Sequence, residues 1–102
     1  MNNIIENNIN ELNALFEKHS VKKAYAFGSV CTSKFSNESD IDILVDIDDS
    51  EGPVLYGEHY FELANELEIL FNRKVDLLTI KSLKNPYFIK SIDETKVSLY
   101  GH

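Results

Sequence analysis

Residues 39–47 read Ser-Asp-Ile-Asp-Ile-Leu-Val-Asp-Ile. Successive side chains of a β-strand point to opposite faces of a sheet, so this stretch has one apolar face and one acidic face. The apolar face holds Ile41, Ile43, Val45 and Ile47. The other face holds Asp40, Asp42, Leu44, Asp46 and Asp48. The alternation predicts a strand over residues 41–47 whose apolar face contributes to the core of the protein.

The segments on either side of this strand predict a small α/β domain. Apolar residues recur every three or four positions over residues 2–19 and again over residues 57–72, which predicts two helices. The remaining predicted elements are strands over residues 22–27, 74–80 and 96–100, a loop over residues 48–57 and a short helix over residues 86–91. We therefore expect four strands and three helices in a single domain that covers residues 1–102.

The negative charge of the chain is concentrated in its middle. The 102 residues carry a net charge of −7, and residues 37–71 hold eleven acidic residues and no Lys or Arg. Proteins that bind nucleic acid along its backbone need clustered basic side chains, so we do not expect direct binding to DNA or RNA. The acidic region suits a cation or a basic partner, or it simply keeps a helix and a loop solvated.

The sequence predicts a cytoplasmic protein that does not associate with membranes. Its apolar runs are only a few residues long, whereas a membrane-spanning helix needs about 20 apolar residues. The N-terminal residues lack the basic and then apolar layout of a signal peptide. The single cysteine, Cys31, cannot form an internal disulfide, which fits a reducing compartment.

Three features of the sequence could form one reactive site. Asp40 and Asp42 project from the same face of the predicted strand, where two carboxylates can hold hard cations such as Mg²⁺. Asp76, on another predicted strand, could complete a site for two metal ions. Gly28 and Ser29 end the first predicted strand, and a glycine there lets backbone N–H groups approach phosphate oxygens. Together these residues suit phosphoryl or nucleotidyl transfer from a metal-bound triphosphate.

Each of these features also has a plain structural explanation. An Asp-x-Asp pattern on a strand can be a solvated face, and Gly-Ser after a strand can be an ordinary turn. Asp76 can pair with Arg73 or Lys74, which precede it in the sequence. Their placement on three strands that could be neighbours in one sheet is what favours a common site.

The spacing of these residues resembles the motif of a known family. Gly28-Ser29, followed ten residues later by Ser-Asp-Ile-Asp at residues 39–42, resembles the motif of the minimal nucleotidyltransferase (MNT) antitoxins. These antitoxins belong to the DNA polymerase β-like superfamily, and residues 75–78, Val-Asp-Leu-Leu, resemble its third-carboxylate strand. The resemblance covers nearly the whole chain. It implies a small nucleotidyltransferase fold, an α/β fold with a mixed four-stranded sheet flanked by helices.

The resemblance also implies an activity and a partner. Members of this family are usually encoded beside a HEPN-domain RNase toxin, and they neutralise it by transferring AMP from ATP to a tyrosine hydroxyl group. Asp40, Asp42 and Asp76 would then be catalytic residues and the ligands of two Mg²⁺ ions, while Gly28 and Ser29 would hold the triphosphate. The expected co-substrate is ATP, and the expected partner is a HEPN toxin in a hetero-oligomer.

One loop departs from the family motif. The family has a run close to x-Ala-Arg-Gly after Gly-Ser, whereas residues 30–33 here are Val-Cys-Thr-Ser. Lys34, two residues beyond the position of that arginine, either contacts the triphosphate or is a solvated loop lysine. The alternative function is therefore a non-catalytic antitoxin that neutralises its partner by stoichiometric binding. A nucleotidyltransferase that acts on a small molecule is a third possibility.

The remaining candidate residues carry weaker signals. The histidines of the chain, His19, His59 and His102, lack the spacing of a zinc site, so no zinc is expected. Tyr56, Tyr60 and Phe61 lie at the start of the second predicted helix, where they could line an adenine slot, contact a partner or pack in the core.

Overall fold

The computed structural model of the protein describes residues 3–101. Within this range the strands are β1 (Val21–Phe27), β2 (Ile41–Ile47), β3 (Val75–Thr79) and β4 (Val97–Tyr100). The helices are α1 (Asn3–Glu6), α2 (Ile9–Lys18), α3 (Pro53–Phe71) and α4 (Pro86–Thr95). Short 3₁₀ helices follow β1 at Gly28–Cys31 and β3 at Ile80–Ser82.

The strands form one mixed sheet in the order β3-β2-β1-β4. β1 runs antiparallel to both β2 and β4, whereas β2 runs parallel to β3. A parallel pair needs a long crossover connection, and α3 supplies it between β2 and β3. The prediction of a mixed four-stranded sheet flanked by helices is confirmed, and every predicted strand is correct to within one residue at each end.

The two faces of the sheet have different partners. The four apolar side chains of β2 are buried in the main core, which also contains side chains from α1, α2 and α3. On the opposite face, Leu44 forms a smaller cluster with Phe27 of β1 and Ile92 of α4. The helix α4 covers this second face only in part, and Asp42 and Asp46 stay half-buried there. No helix among residues 3–101 combines the length and the apolar character needed to cross a membrane.

The prediction of one helix over residues 2–19 is wrong, because the chain forms two helices in this region. Residue 2 lies outside the described residues, and α1 and α2 are separated by a turn at positions 7 and 8. The Asn8 side chain donates a hydrogen bond to the Ile4 carbonyl at 2.8 Å. Asparagine side chains compete in this way for the backbone groups that a continuous helix would use, which accounts for the interruption.

The prediction of a loop over residues 48–57 is wrong at its end, because α3 already begins at Pro53. Gly52, which precedes the helix, has a φ of +98°. Proline suits the first position of a helix because the backbone N–H that it lacks would have no hydrogen-bond partner there. The short helix predicted over residues 86–91 likewise continues to Thr95 as α4. The described residues therefore contain four α-helices where three were expected.

Candidate active site

Asp42 occupies the centre of the candidate site. In the sheet it is paired with Asp76 on the parallel strand β3 and with Phe27 on the antiparallel strand β1. Neighbouring strands lie about 4.8 Å apart and paired side chains share a face, so the carboxyl groups of Asp42 and Asp76 are neighbours. Asp40 lies directly before β2, and Lys74 contacts the carboxyl groups of both Asp40 and Asp76. The structure thus brings together the three aspartates that the sequence singled out.

The carboxyl groups of these aspartates repel one another. Burial and, to a smaller extent, the nearby carboxyl groups of Asp76 and Asp40 together raise the pKa of Asp42 to about 6. Lys74 Nζ lies 3.8 Å from Asp40 Oδ2 and 3.8 Å from Asp76 Oδ1, so it offsets part of the repulsion. One lysine cannot neutralise three carboxylates, and the arrangement therefore favours a further cation.

A hard divalent cation fits this set of donors. Mg²⁺ prefers oxygen ligands, and proteins usually bind it through one or two carboxylates together with phosphate oxygens and water. The side chains of Asp40 and Asp76 are 42% and 47% exposed, which leaves room for a ligand that carries phosphate groups. Burial and the neighbouring carboxyl groups both raise the pKa of Asp42, and a positive charge placed here would offset both effects.

The turn that follows β1 lies directly against Asp42. Gly28 has a φ of +74°, and a Cβ atom at this position would lie only 2.5 Å from Asp42 Oδ2. The backbone conformation and the close contact both require glycine here. The Gly28 N–H donates a hydrogen bond to Thr95 Oγ1 of α4 at 3.0 Å, so it is not available to a phosphate oxygen. Ser29 is therefore the residue of the pair whose N–H and hydroxyl group are available to a phosphate.

A cavity of about 580 Å³ opens beside the aspartates. Asp42 and Asp76 form part of its polar wall, while Phe27, Tyr60 and Phe88 supply aromatic rings. A cavity with carboxylates on one side and aromatic rings on the other suits a ligand that has both a cation-binding group and a flat ring.

Tyr60 and Phe61 differ in their surroundings. The Tyr60 hydroxyl donates a hydrogen bond to the Leu77 carbonyl of β3 at 2.5 Å, which fixes the ring at the cavity. The Phe61 ring stacks on the Tyr60 ring, with centroids 5.2 Å apart, and is 75% exposed. Of the roles left open by the sequence, core packing is therefore excluded for Phe61.

Arg73 orders the loop that leads to Asp40, a role that the sequence did not indicate. Its Nη1 atom donates hydrogen bonds to the carbonyls of Ser39 at 2.9 Å and Ser36 at 3.1 Å. Its guanidinium group also lies 4.6 Å from the centre of the Phe35 ring. Lys74 rather than Arg73 therefore pairs with Asp76. In the sequence, the one sign of this role of Arg73 was its position just before β3.

Lys34 and Cys31 flank the turn but do not line the cavity. The side chain of Lys34 is exposed, and its backbone N–H donates a hydrogen bond to Thr32 Oγ1 at 3.2 Å. Burial raises the pKa of the Cys31 thiol, which makes it a poor nucleophile. Chemistry at this site therefore has to come from the aspartates and the turn.

Comparison with known proteins places the chain in a family. Residues 10–102 match the family described as "Polymerase beta, Nucleotidyltransferase". The chain belongs to this family. A relative from Methanocaldococcus jannaschii, named "Putative protein adenylyltransferase MJ1379", is 44% identical to this nucleotidyltransferase over 80 residues, which cover 78% of each chain. Protein adenylyltransferase MntA of Thermococcus cleftensis is 38% identical over 71 residues, which cover 70% of this chain and 68% of the relative.

Solved structures share the fold of this nucleotidyltransferase. A protein assigned as a minimal nucleotidyltransferase matches with a TM-score of 0.75 at 21% identity, over 95% of both chains. A toxin-antitoxin complex solved with AMP-PNP contains a chain with a TM-score of 0.72 and 25% identity, over 93% of this chain and 74% of that one. The complex of tri-AMPylated Shewanella oneidensis HEPN toxin with MNT antitoxin contains a chain with a TM-score of 0.66 and 24% identity, over 95% and 72%. The predicted nucleotidyltransferase fold and the resemblance to the MNT family are confirmed.

Proposed function

We propose that this nucleotidyltransferase transfers AMP from ATP to a tyrosine hydroxyl group of a HEPN-domain toxin and thereby neutralises the toxin. The observation that carries the proposal is the convergence of Asp40, Asp42 and Asp76 beside the Gly28 turn. Transfer of AMP to a protein is supported by relatives named as protein adenylyltransferases. The choice of partner is supported by the MNT antitoxin solved with an AMPylated HEPN toxin.

The residues of the site have separate tasks in this reaction. Asp40, Asp42 and Asp76 would hold two Mg²⁺ ions, whose charge would neutralise the triphosphate and polarise the attacking hydroxyl group. Ser29 would donate hydrogen bonds to phosphate oxygens, and Gly28 allows this turn to lie against Asp42. The rings that line the cavity would orient a flat group, and their position is fixed by packing and by the hydrogen bond from Tyr60 to β3.

The transfer step exchanges one oxygen–phosphorus bond for another. The tyrosine oxygen attacks the α-phosphorus of ATP in line with the leaving group, and a new oxygen–phosphorus bond forms. The bond between the α-phosphorus and the oxygen that bridges it to the β-phosphorus breaks. Pyrophosphate leaves, the hydroxyl proton is released, and the partner carries AMP on its tyrosine.

Transfer of label from ATP to the partner tests the proposal. The protein is incubated with Mg²⁺, ATP labelled at its α-phosphate and a HEPN-domain protein from the same organism. We expect label on a tyrosine of that protein. Asp42→Asn should lower the rate by about 10²–10³-fold, because it removes a charge from the centre of the site. Asp46→Asn is the matched control, since Asp46 lies on the same face of β2 but pairs with Lys22 at 3.7 Å, and it should keep the wild-type rate.

Stoichiometric binding is the second candidate function. The acidic region over residues 37–71 favours it, because this region could dock on a basic, RNA-binding face of the toxin. In that case Asp42→Asn would protect cells from the toxin as well as the wild-type protein does. The transfer proposal is abandoned if the wild-type protein transfers no label, or if Asp42→Asn transfers it equally well.

A further inference from the structure

Two histidines and two glutamates meet on the side of the sheet that faces away from the aspartates. His19 lies in the turn between α2 and β1 and is only 1% exposed. His59, Glu62 and Glu66 are spaced three and four residues apart on α3, so their side chains share one face of that helix. One potential ligand atom from each of His19, Glu62 and Glu66 lies within 4.8 Å of the other two.

The two ring nitrogens of His19 face different neighbours. His19 Nε2 lies 3.2 Å from Glu66 Oε1, a carboxylate oxygen that can only accept, so Nε2 carries the proton. His19 Nδ1 faces His59 Nδ1 at 3.2 Å, within hydrogen-bonding distance, and Glu62 Oε2 at 4.0 Å, so a metal ion bound here would replace the proton that the two rings share.

Glu66 is held in place by two neighbours. Lys18 Nζ lies 2.9 Å from Glu66 Oε1, and His19 Nε2 lies 3.2 Å from the same oxygen. A histidine that binds a metal usually donates its other N–H to a carboxylate, which fixes the orientation of the ring. His19 and Glu66 already form this pair.

The separation of the His19 and His59 nitrogens matches that of two ligands in a tetrahedral metal site. Zinc binds histidine nitrogens at about 2.0–2.1 Å, which places two such nitrogens about 3.3 Å apart in a tetrahedron. The His19 and His59 nitrogens are separated by 3.2 Å. The Glu62 side chain is 61% exposed, so it can rotate to shorten its 4.0 Å distance without disturbing the core. Solvent also reaches this side, and a water molecule could complete the four ligands.

We propose that His19 Nδ1, His59 Nδ1 and a Glu62 carboxylate oxygen bind a divalent transition-metal ion of the zinc type, with Glu66 orienting His19. Imidazole ligands favour Zn²⁺, whereas oxygen ligands alone favour Mg²⁺, so this site and the aspartate site select different ions. The bound ion would link α3 to the turn before β1 and stabilise the fold. His19 and His59 are 40 residues apart in the sequence, which explains why their spacing gave no sign of a zinc site.

Titration with Co²⁺ tests this site separately from the aspartates. Protein without an affinity tag is freed of metal, placed in excess Mg²⁺ to occupy the aspartate site, and titrated with Co²⁺. We expect one equivalent to bind with the visible absorption of four-coordinate Co²⁺, and Zn²⁺ to abolish that absorption. His59→Gln and Glu62→Gln should each weaken binding about 10-fold or more. Neither side chain belongs to the buried core, so both variants are expected to fold.

Three control variants should keep the Co²⁺ absorption. Glu58→Gln changes an exposed acid on the same helix, His102→Gln removes the remaining histidine, and Asp42→Asn alters the aspartate site. Zn²⁺ should also raise the Tm of the wild-type protein but not that of His59→Gln. The proposal is overturned if the wild-type protein shows no Co²⁺ absorption, if His59→Gln binds as well as wild type, or if Asp42→Asn abolishes the absorption. Transfer activity in Mg²⁺ alone has no bearing on this result.

Discussion

At the residue scale, Asp42 destabilises the protein when no cation is bound. Its pKa rises from an ordinary 3.8 to about 6 because it is partly buried and faces Asp76 and Asp40. The folded protein therefore binds a proton at Asp42 more tightly than the unfolded chain does. Protonation contributes stability that is fully present below about pH 4 and is lost as the pH rises through about 6.

Replacing Asp42 by asparagine should stabilise the metal-free protein at high pH. In the presence of a chelator, we expect the Tm of Asp42→Asn to exceed that of the wild-type protein at about pH 8, and the difference to shrink as the pH falls towards about 5. Solvent screening limits the effect to about 1 kcal/mol, or roughly 4 °C for a chain of this size. Thermal unfolding followed by circular dichroism measures the Tm of the wild-type protein and of the variant at each pH. Asp46→Asn is the control, and an identical pH dependence in both variants would contradict the assignment of the effect to the aspartate cluster.

At the scale of elements, α4 connects the cavity to the glycine turn. Phe88 in its first turn lines the cavity, and Thr95 at its end accepts the hydrogen bond from the Gly28 N–H. The Asn85 side chain caps the start of the helix. Its Oδ1 atom accepts hydrogen bonds from the backbone N–H groups of Tyr87 at 2.9 Å and Phe88 at 3.3 Å. Because Phe88 both binds the cap and lines the cavity, loss of the cap would disturb the cavity wall before the rest of α4.

Asn85→Ala should therefore lower both stability and transfer activity. Loss of an asparagine cap costs about 1 kcal/mol, which corresponds to a decrease in Tm of about 4–8 °C. Differential scanning calorimetry measures the decrease, and the label-transfer assay measures the rate. Asn65→Ala is the matched control, because Asn65 is exposed in the middle of α3, where alanine is the better helix former. Equal losses of Tm in the two variants would show that the cap is not responsible.

The elements that were predicted correctly are those whose signal is local. The strict alternation in residues 41–47 fixed β2 to the residue, because the same residues carry both the strand signal and the core face. The break between α1 and α2 depends on one side-chain hydrogen bond of Asn8, which an apolar period does not reveal. The start of α3 at Pro53 was missed because Gly-Pro marks a turn as readily as the first residue of a helix.

The distinction between local signals and long-range contacts also applies to the candidate site. Asp40, Asp42 and Asp76 could be singled out because each lies in or directly before a recognisable strand, and parallel pairing of β2 with β3 then brings them together. Thr95 binds the Gly28 N–H across 67 residues of sequence, and no local pattern predicts such a contact.

At the scale of the whole molecule, the two faces of the sheet are specialised. The apolar face of β2 is enclosed by helices, while the opposite face presents the aspartates next to an open cavity. The net charge of −7 and the eleven acids of residues 37–71 give this region a field that repels anions. We therefore expect a triphosphate to bind beside the aspartates only together with a cation.

Binding of ATP to the whole molecule should therefore depend on Mg²⁺. A ligand present at 100 times its dissociation constant stabilises the folded state by about 2.7 kcal/mol, which corresponds to roughly 10 °C or more in Tm. We expect this increase with Mg²⁺ and ATP together, a smaller one with Mg²⁺ alone, and none with ATP and a chelator. Asp42→Asn should lose most of the increase because it removes a cation ligand, whereas Asp46→Asn should retain it. Thermal unfolding in these three buffers and in a buffer with neither Mg²⁺ nor ATP provides the measurement. Equal stabilisation by ATP with and without Mg²⁺ would show that the triphosphate binds away from the aspartates.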